Sequence, residues 1–157
     1  MPDLMKVRLS PHAASFATPA ASADAADSQL SSGRATIVGL WNIQFVSDGQ
    51  VIDQGFDAWQ SDGLEVLNDT PPPATGNVCL GVYTQTGPRT FKLKHPSWIY
   101  DSSNINVIGT ATIRETMFID RSGDAFTGAF TIDAVDLFGN PLGHAEGSVK
   151  ATRIRVD

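Results

Sequence analysis

Two residues carry types and settings that invite chemistry. Glu115 sits in Ile113-Arg114-Glu115-Thr116-Met117 and shares the parity of Ile113 and Met117, so it projects from an apolar face. A carboxylate placed there is costly to ionise and its pKa rises, which suits a general base or an anchor for a ligand. A glutamate at the rim of a cavity, or one paired with an inward arginine, has the same pattern. His95 shares the parity of Phe91 and Leu93 and is followed at once by Pro96. A lone inward histidine is commonly a hydrogen-bonded core or rim residue, but together with Glu115 it would make an acid–base pair. Trp59, Tyr83, Phe91, Ile113, Met117 and Phe130 either fill the core or wall a ligand pocket around these groups. Cys79, in Val78-Cys79-Leu80-Gly81, reads as an inert small hydrophobe. Asp53, Asp57, Asp62 and Glu65 read as a solvated acidic patch rather than a cation site.

The elements that must position these groups are strands. Beyond residue 35, apolar–polar alternation recurs and no helical period extends beyond about two turns. Turn chemistry interrupts it at Ser47-Asp48-Gly49, Ser61-Asp62-Gly63, Thr86-Gly87-Pro88, Asp101 to Asn104, Arg121 to Asp124 and Phe138-Gly139-Asn140. A seventh break, Asp69 to Asn77, holds Pro71, Pro72 and Pro73 and reads as a longer loop. Seven breaks give eight strands, at about 36–46, 51–59, 63–69, 77–85, 89–99, 105–119, 124–136 and 141–155. Short connections make sequence neighbours antiparallel. The fold class is all-β, an eight-stranded antiparallel up-and-down barrel, with a sandwich as the other arrangement of the same strands.

Parity assigns the inner face: Trp41, Ile43 and Phe45 on the first strand, Ile105 to Ile119 by alternation on the sixth, Phe126, Phe130 and Ile132 on the seventh, Val149 and Arg153 on the eighth. Small residues recur there (Gly39, Gly109, Ala111, Gly128, Ala145, Gly147, Ala151), which either let the wall bend or leave lumenal room. Strands two to four carry apolar residues on both faces. That pattern predicts a second buried surface, such as a homodimer contact.

The chain has 157 residues, 11 Lys+Arg and 17 Asp+Glu. One domain is expected at this length. Residues 1–34 are rich in Ala, Ser, Asp and Pro and are expected to form a disordered or loosely docked arm, with residues 35–157 as the barrel. Asp3, Asp24 and Asp27 balance Lys6, Arg8 and Arg34, so the whole charge of −6 falls on the barrel. Such a balance disfavours nucleic acid and anionic membrane surfaces as partners. The single cysteine excludes an internal disulfide. His12, His95 and His144 are scattered, and neither a metal nor a cofactor is expected. The first thirty residues lack the apolar run of an export signal, so a cytoplasmic location is expected; an exported chain whose leader had been removed would read the same. Asn68-Asp69-Thr70 matches the glycosylation triplet, but Pro71 follows it.

Gly39-Leu40-Trp41 on the first strand, with Arg153 inward on the last, resembles the lipocalin and wider calycin pattern. The segments Trp59 to Glu65, Cys79 to Tyr83, Thr86-Gly87-Pro88 and Lys92 to His95 resemble bacterial lipocalin-like proteins of unassigned function. The resemblance covers about residues 36–155, without the helix that lipocalins place after the barrel. It implies that the Arg153 guanidinium covers the Trp41 ring at a closed end, a structural role; Arg155 has the same parity. The function this suggests is binding of a small, largely apolar ligand in the lumen. The alternative is a barrel enzyme of cyclase, isomerase or lyase type, with Glu115 and His95 as acid–base groups. An assembly role for the arm is the third.

Overall fold

The computed structural model describes residues 35–156; residues 1–34, where the arm is expected, and Asp157 lie outside the described residues. Eight strands follow one another: β1 (Gly39–Ser47), β2 (Gln50–Trp59), β3 (Leu64–Asp69), β4 (Val78–Gln85), β5 (Thr90–Tyr100), β6 (Val107–Ile119), β7 (Ala125–Asp136) and β8 (Pro141–Arg153). Each pairs antiparallel with the next, and β1 pairs with β8, closing the barrel. Closure leaves no free edge, the usual liability of a sheet. The proline-rich break forms a single 3-10 turn at Pro73–Thr75.

The turns sort the barrel into two ends. The β2–β3, β4–β5 and β6–β7 turns lie at one end, with the start of β1 and the finish of β8. The other four connections lie at the opposite end. Register shifts fall at Phe45/Val46, Ile99/Tyr100 and Ala134/Val135, all near that opposite end. Such bulges bend the strands and increase their twist there.

The first end is capped from within. Arg153 lies over the Trp41 ring, 4.0 Å from guanidinium carbon to centroid. Its three nitrogens donate to the carbonyls of Gly123 (2.7 Å), Val38 (2.7 Å) and Thr36 (2.9 Å). A Cβ at Gly39, where φ is 139°, would strike that guanidinium, which is why glycine precedes the tryptophan by two. The Trp41 indole donates to Ile37 O at 2.8 Å and meets Phe126 edge-on at 4.9 Å. Arg155 instead binds Asp124. Beneath this cap Trp59, Ile119, Phe126 and Met117 are fully buried. Each such side chain contributes about 1.5–3 kcal/mol of burial free energy.

Two details depart from the sequence reading. Ile105, expected inward on the sixth strand, is 76% exposed because β6 begins only at Val107. Asp57 and Glu65, expected in solvent, are buried in the lumen. On β2, β3 and β4 the inward residues are Asp57, Trp59, Glu65, Leu67, Cys79 and Gly81, while Phe56, Leu64, Val78, Leu80 and Val82 point out.

Candidate functional site

Four ionisable side chains are buried inside the barrel: Asp57 (1% exposed), Glu65 (1%), His95 (1%) and Glu115 (3%). Register sets their levels. Glu65 stands opposite Gly81, and Glu115 stands between Leu93 and Phe130. The four form a polar layer across the lumen. Towards the capped end lies the cluster built on Trp41, Trp59, Phe91, Met117 and Phe126. Towards the opposite end lies a smaller cluster of Ile99, Ala111, Ile113 and Ala134.

Two hydrogen-bonded pairs stand within the layer. The Trp59 indole N–H donates to Asp57 Oδ2 at 2.6 Å. Burial first, then the neighbouring Glu65 carboxyl, raises the Asp57 carboxyl well above its ordinary range. Burial also raises Glu65, to about 7. Glu65 Oε2 lies 3.2 Å from His95 Nδ1. Burial lowers His95 to about 4, against the pull of the neighbouring Asp57 and Asp53 carboxylates. Desolvation thus outweighs attraction, and the pair sits near neutrality rather than as a buried ion pair. Gly81 makes the contact geometrically available. A side chain on this intervening strand would collide with the Glu65 carboxylate and come within 2.9 Å of His95 Cβ.

Glu115 is set apart from both pairs. Both of its oxygens are buried without a hydrogen-bond partner, as are Asp57 Oδ1 and Glu65 Oε1. Burial, reinforced by the Asp57 and Glu65 charges, raises the Glu115 carboxyl well above its ordinary range, which favours its neutral form. Glu115 and His95 therefore share the layer, but the partner of His95 is Glu65.

The apolar candidates all face inward. Trp59, Phe91, Ile113, Met117 and Phe130 are buried. Tyr83 packs edge-on against Trp59 at 4.8 Å and donates its hydroxyl to Gln60 O. Beyond the layer, towards the opposite end, Ala111, Ala134 and Ala145 line β6–β8. Facing them on β2 and β3 are Asp53 and Asp69. Burial and the Asp53 charge raise Asp69 to about 7. Burial pushes the Cys79 thiol up to about 11, which keeps it protonated. No group of three or more His, Cys, Asp or Glu among the described residues has the geometry to hold a metal ion.

A cleft of about 550 Å³ lies on the outer wall of β4–β7. Outward residues Lys92, Lys94, Arg114 and Thr116 rise around it, and Tyr83, Leu93, Glu115 and Phe130 of the same strands also border it. Arg114 there is paired with Asp133 at 2.7 Å. Among the described residues no helix is long and apolar enough to cross a membrane.

Sequence parity located Glu115 and His95 but missed Asp57 and Glu65. Asp57 shares the parity of Trp59, a candidate core or pocket residue, but the apolar residues on both faces of strands two to four left their inner face unassigned. A closed, eight-stranded antiparallel barrel carrying a buried acid–base layer is the class that fold and site define, and it is compatible with a lipocalin-like fold. No family model, curated protein or solved structure matches the chain.

Proposed function

We propose that the barrel binds a small molecule with an apolar body and a hydrogen-bonding head, seated head-down on the Asp57–Glu65–His95–Glu115 layer. The observation that carries this reading is the set of buried carboxyl oxygens without partners, above all both oxygens of Glu115. Leaving such groups unsatisfied costs about 1–3 kcal/mol each, a cost that a bound head group bearing donors and acceptors removes. The alanines and Ile113 of β6–β8 supply an apolar wall of small side chains for the body of the ligand, on the side away from the Arg153 cap. In this respect the protein works as a lipocalin-like carrier does, with the polar layer as its specificity element.

A second reading is favoured by the pairing of unlike protonation states in one layer. Burial lowers His95 to about 4 and raises the Glu115 carboxyl well above its ordinary range, so both favour their neutral forms. With Glu65 ionised, His95 Nδ1–H donates to it and leaves the Nε2 lone pair free to take a proton from a bound substrate. Glu115 then returns a proton to another atom of the same molecule. The balance is that of an isomerisation or a cyclisation, run in a dry site.

The test is a displacement titration with a lipophilic fluorescent probe, together with native mass spectrometry of the purified protein. Binding is expected in the parent protein. It is expected to be lost in Ala111→Phe and Ala134→Phe, which fill the end away from the cap. Probe binding that is indifferent to both substitutions would place the site outside the lumen and overturn the reading.

A further inference from the structure

The outer wall of β2–β5 is inverted relative to an ordinary soluble sheet. The outward positions of this stretch, bordered by Gln54 on β2, Thr84 on β4 and Lys92 and Lys94 on β5, are Phe56 and Ala58 on β2, Leu64, Val66 and Asn68 on β3, Val78, Leu80 and Val82 on β4, and Pro96 and Trp98 on β5. None of these ten is charged. Ladder register makes the patch continuous: Ala58 faces Val66, Val66 faces Leu80, and Leu64 faces Val82. Six of the side chains are about half exposed or more: Phe56 (55%), Leu64 (46%), Val78 (54%), Leu80 (64%), Val82 (58%) and Trp98 (58%). Together they leave roughly 600 Å² of apolar surface, at the top of the ~300–600 Å² found as the largest patch on a monomer. That area approaches the ~800 Å² each partner gives to a standard interface.

We infer that this face is the interface of a homodimer, in which two copies pack their β2–β5 sheets face to face about a two-fold axis. The argument for a second copy rests on area and charge. An uncharged sheet face is complementary to another uncharged sheet face, and two sheets pack at about 10 Å with their strands within ~30° of alignment. The chain as a whole carries −6, so association between copies is tolerated only where charge is absent, and this face is such a place. A two-fold contact uses the same patch twice, so a single apolar face satisfies both copies and closes the assembly. The first charged outward positions met on β5 are Lys94 and Lys92, at the border of the patch beside Val82.

The experiment is light scattering coupled to size exclusion on the full-length chain, at concentrations from about 1 to 100 μM, the weak end of the affinities found for interfaces of this class. The parent protein is expected at twice the 16.7 kDa chain mass. Leu80→Glu is expected to give the monomer mass, because the axis brings two carboxylates into one apolar contact. Leu80 is on the outer wall, so its far-ultraviolet circular dichroism and thermal transition should remain those of a folded barrel. Phe138→Glu, in the exposed β7–β8 turn and away from the patch, should stay dimeric. A parent protein that is monomeric throughout the range overturns the inference. So does a Leu80→Glu variant that stays dimeric. A monomer whose residues 1–34 resist trypsin until Leu80 is replaced makes that segment the occupant. A monomer that cosediments with phosphatidylcholine vesicles makes it a lipid surface. Either result overturns the dimer.

Discussion

Replacing Glu115 by methionine should stabilise the protein. The residue is 3% exposed, lies between Leu93 and Phe130 in register, and has no partner for either oxygen. Methionine is unbranched, of similar length, and has no group that needs a strong hydrogen bond. Removing an unsatisfied buried carboxyl recovers about 1–3 kcal/mol, and imperfect repacking returns up to ~1.5 kcal/mol. The net gain is about 1 kcal/mol at the middle of these ranges, which for a barrel of this length raises Tm by roughly 4–6 °C. The gain should also depend on pH. The Glu115 carboxyl is raised by burial in the folded state, so folding favours proton uptake above the unfolded pKa. Its contribution is fully present below the unfolded pKa of about 4.3, and is lost as pH rises towards the folded pKa. Each pH unit within that window costs the parent up to ~1.4 kcal/mol, a cost the methionine variant does not bear. The advantage of Glu115→Met should therefore be larger at pH 8 than at pH 5. Thermal unfolding followed by circular dichroism at both pH values reads the effect, with Glu115→Gln as a control that keeps polar atoms in place and gains little. A lower Tm for Glu115→Met at pH 7, or a difference that does not change with pH, would show that the carboxylate is ionised and partnered, and would refute the reasoning.

The remaining predictions concern the groups around it. Gly81→Ala should cost about 1–3 kcal/mol, because the new Cβ meets Glu65, Leu93 and His95 at once; chemical denaturation measures it. In an NMR titration, His95 should ionise only near pH 4; an imidazole that titrates near its ordinary value would contradict its burial against Glu65. Glu65→Gln should flatten the fall in stability between about pH 4.5 and 7, since the raised carboxyl makes the parent lose stability as pH climbs through that range. Arg153→Lys should cost about 2–3 kcal/mol in denaturant unfolding, since a lysine keeps the charge over Trp41 but cannot span the carbonyls of Thr36, Val38 and Gly123.

The barrel was legible because alternation and turn residues are local signals. Asp48-Gly49 closes the first hairpin with Ser47 opposite Gln50, and the eight strand ends fall within a few residues of their expected places. Trp41 and Arg153 were legible as a pair because the closing ladder puts them in register. The acid–base layer was legible only where one face of a strand was plainly apolar, as for Glu115 among Ile113, Met117 and Ile119. Asp57 and Glu65 escaped because their strands have apolar residues on both faces, so composition could not say which face was inner. Their neighbours settle the matter in three dimensions. Trp59 fixes the parity of Asp57, and Gly81 leaves the space through which Glu65 reaches His95.

The two departures from an ordinary barrel lie on the same strands, and they have one cause. On β1 and β5–β8 the polar side chains point mostly to solvent and the lumen is apolar apart from His95 and Glu115. On β2 and β3 the order reverses, with Asp53, Asp57, Glu65 and Asp69 inward and Phe56, Ala58, Leu64 and Val66 outward. A one-residue slip of these strands would restore the usual order and bury the apolar set. The closed ladder holds them where they are, through nine paired positions of β2 with β1 and five of β3 with β4. Both faces are therefore costly, the inner by unpartnered carboxyls and the outer by exposed apolar side chains. A sequence retains such an inversion where each face meets something that removes its cost. A polar head group in the lumen and an uncharged partner surface outside are the two chemistries that do so, and each is testable without the other.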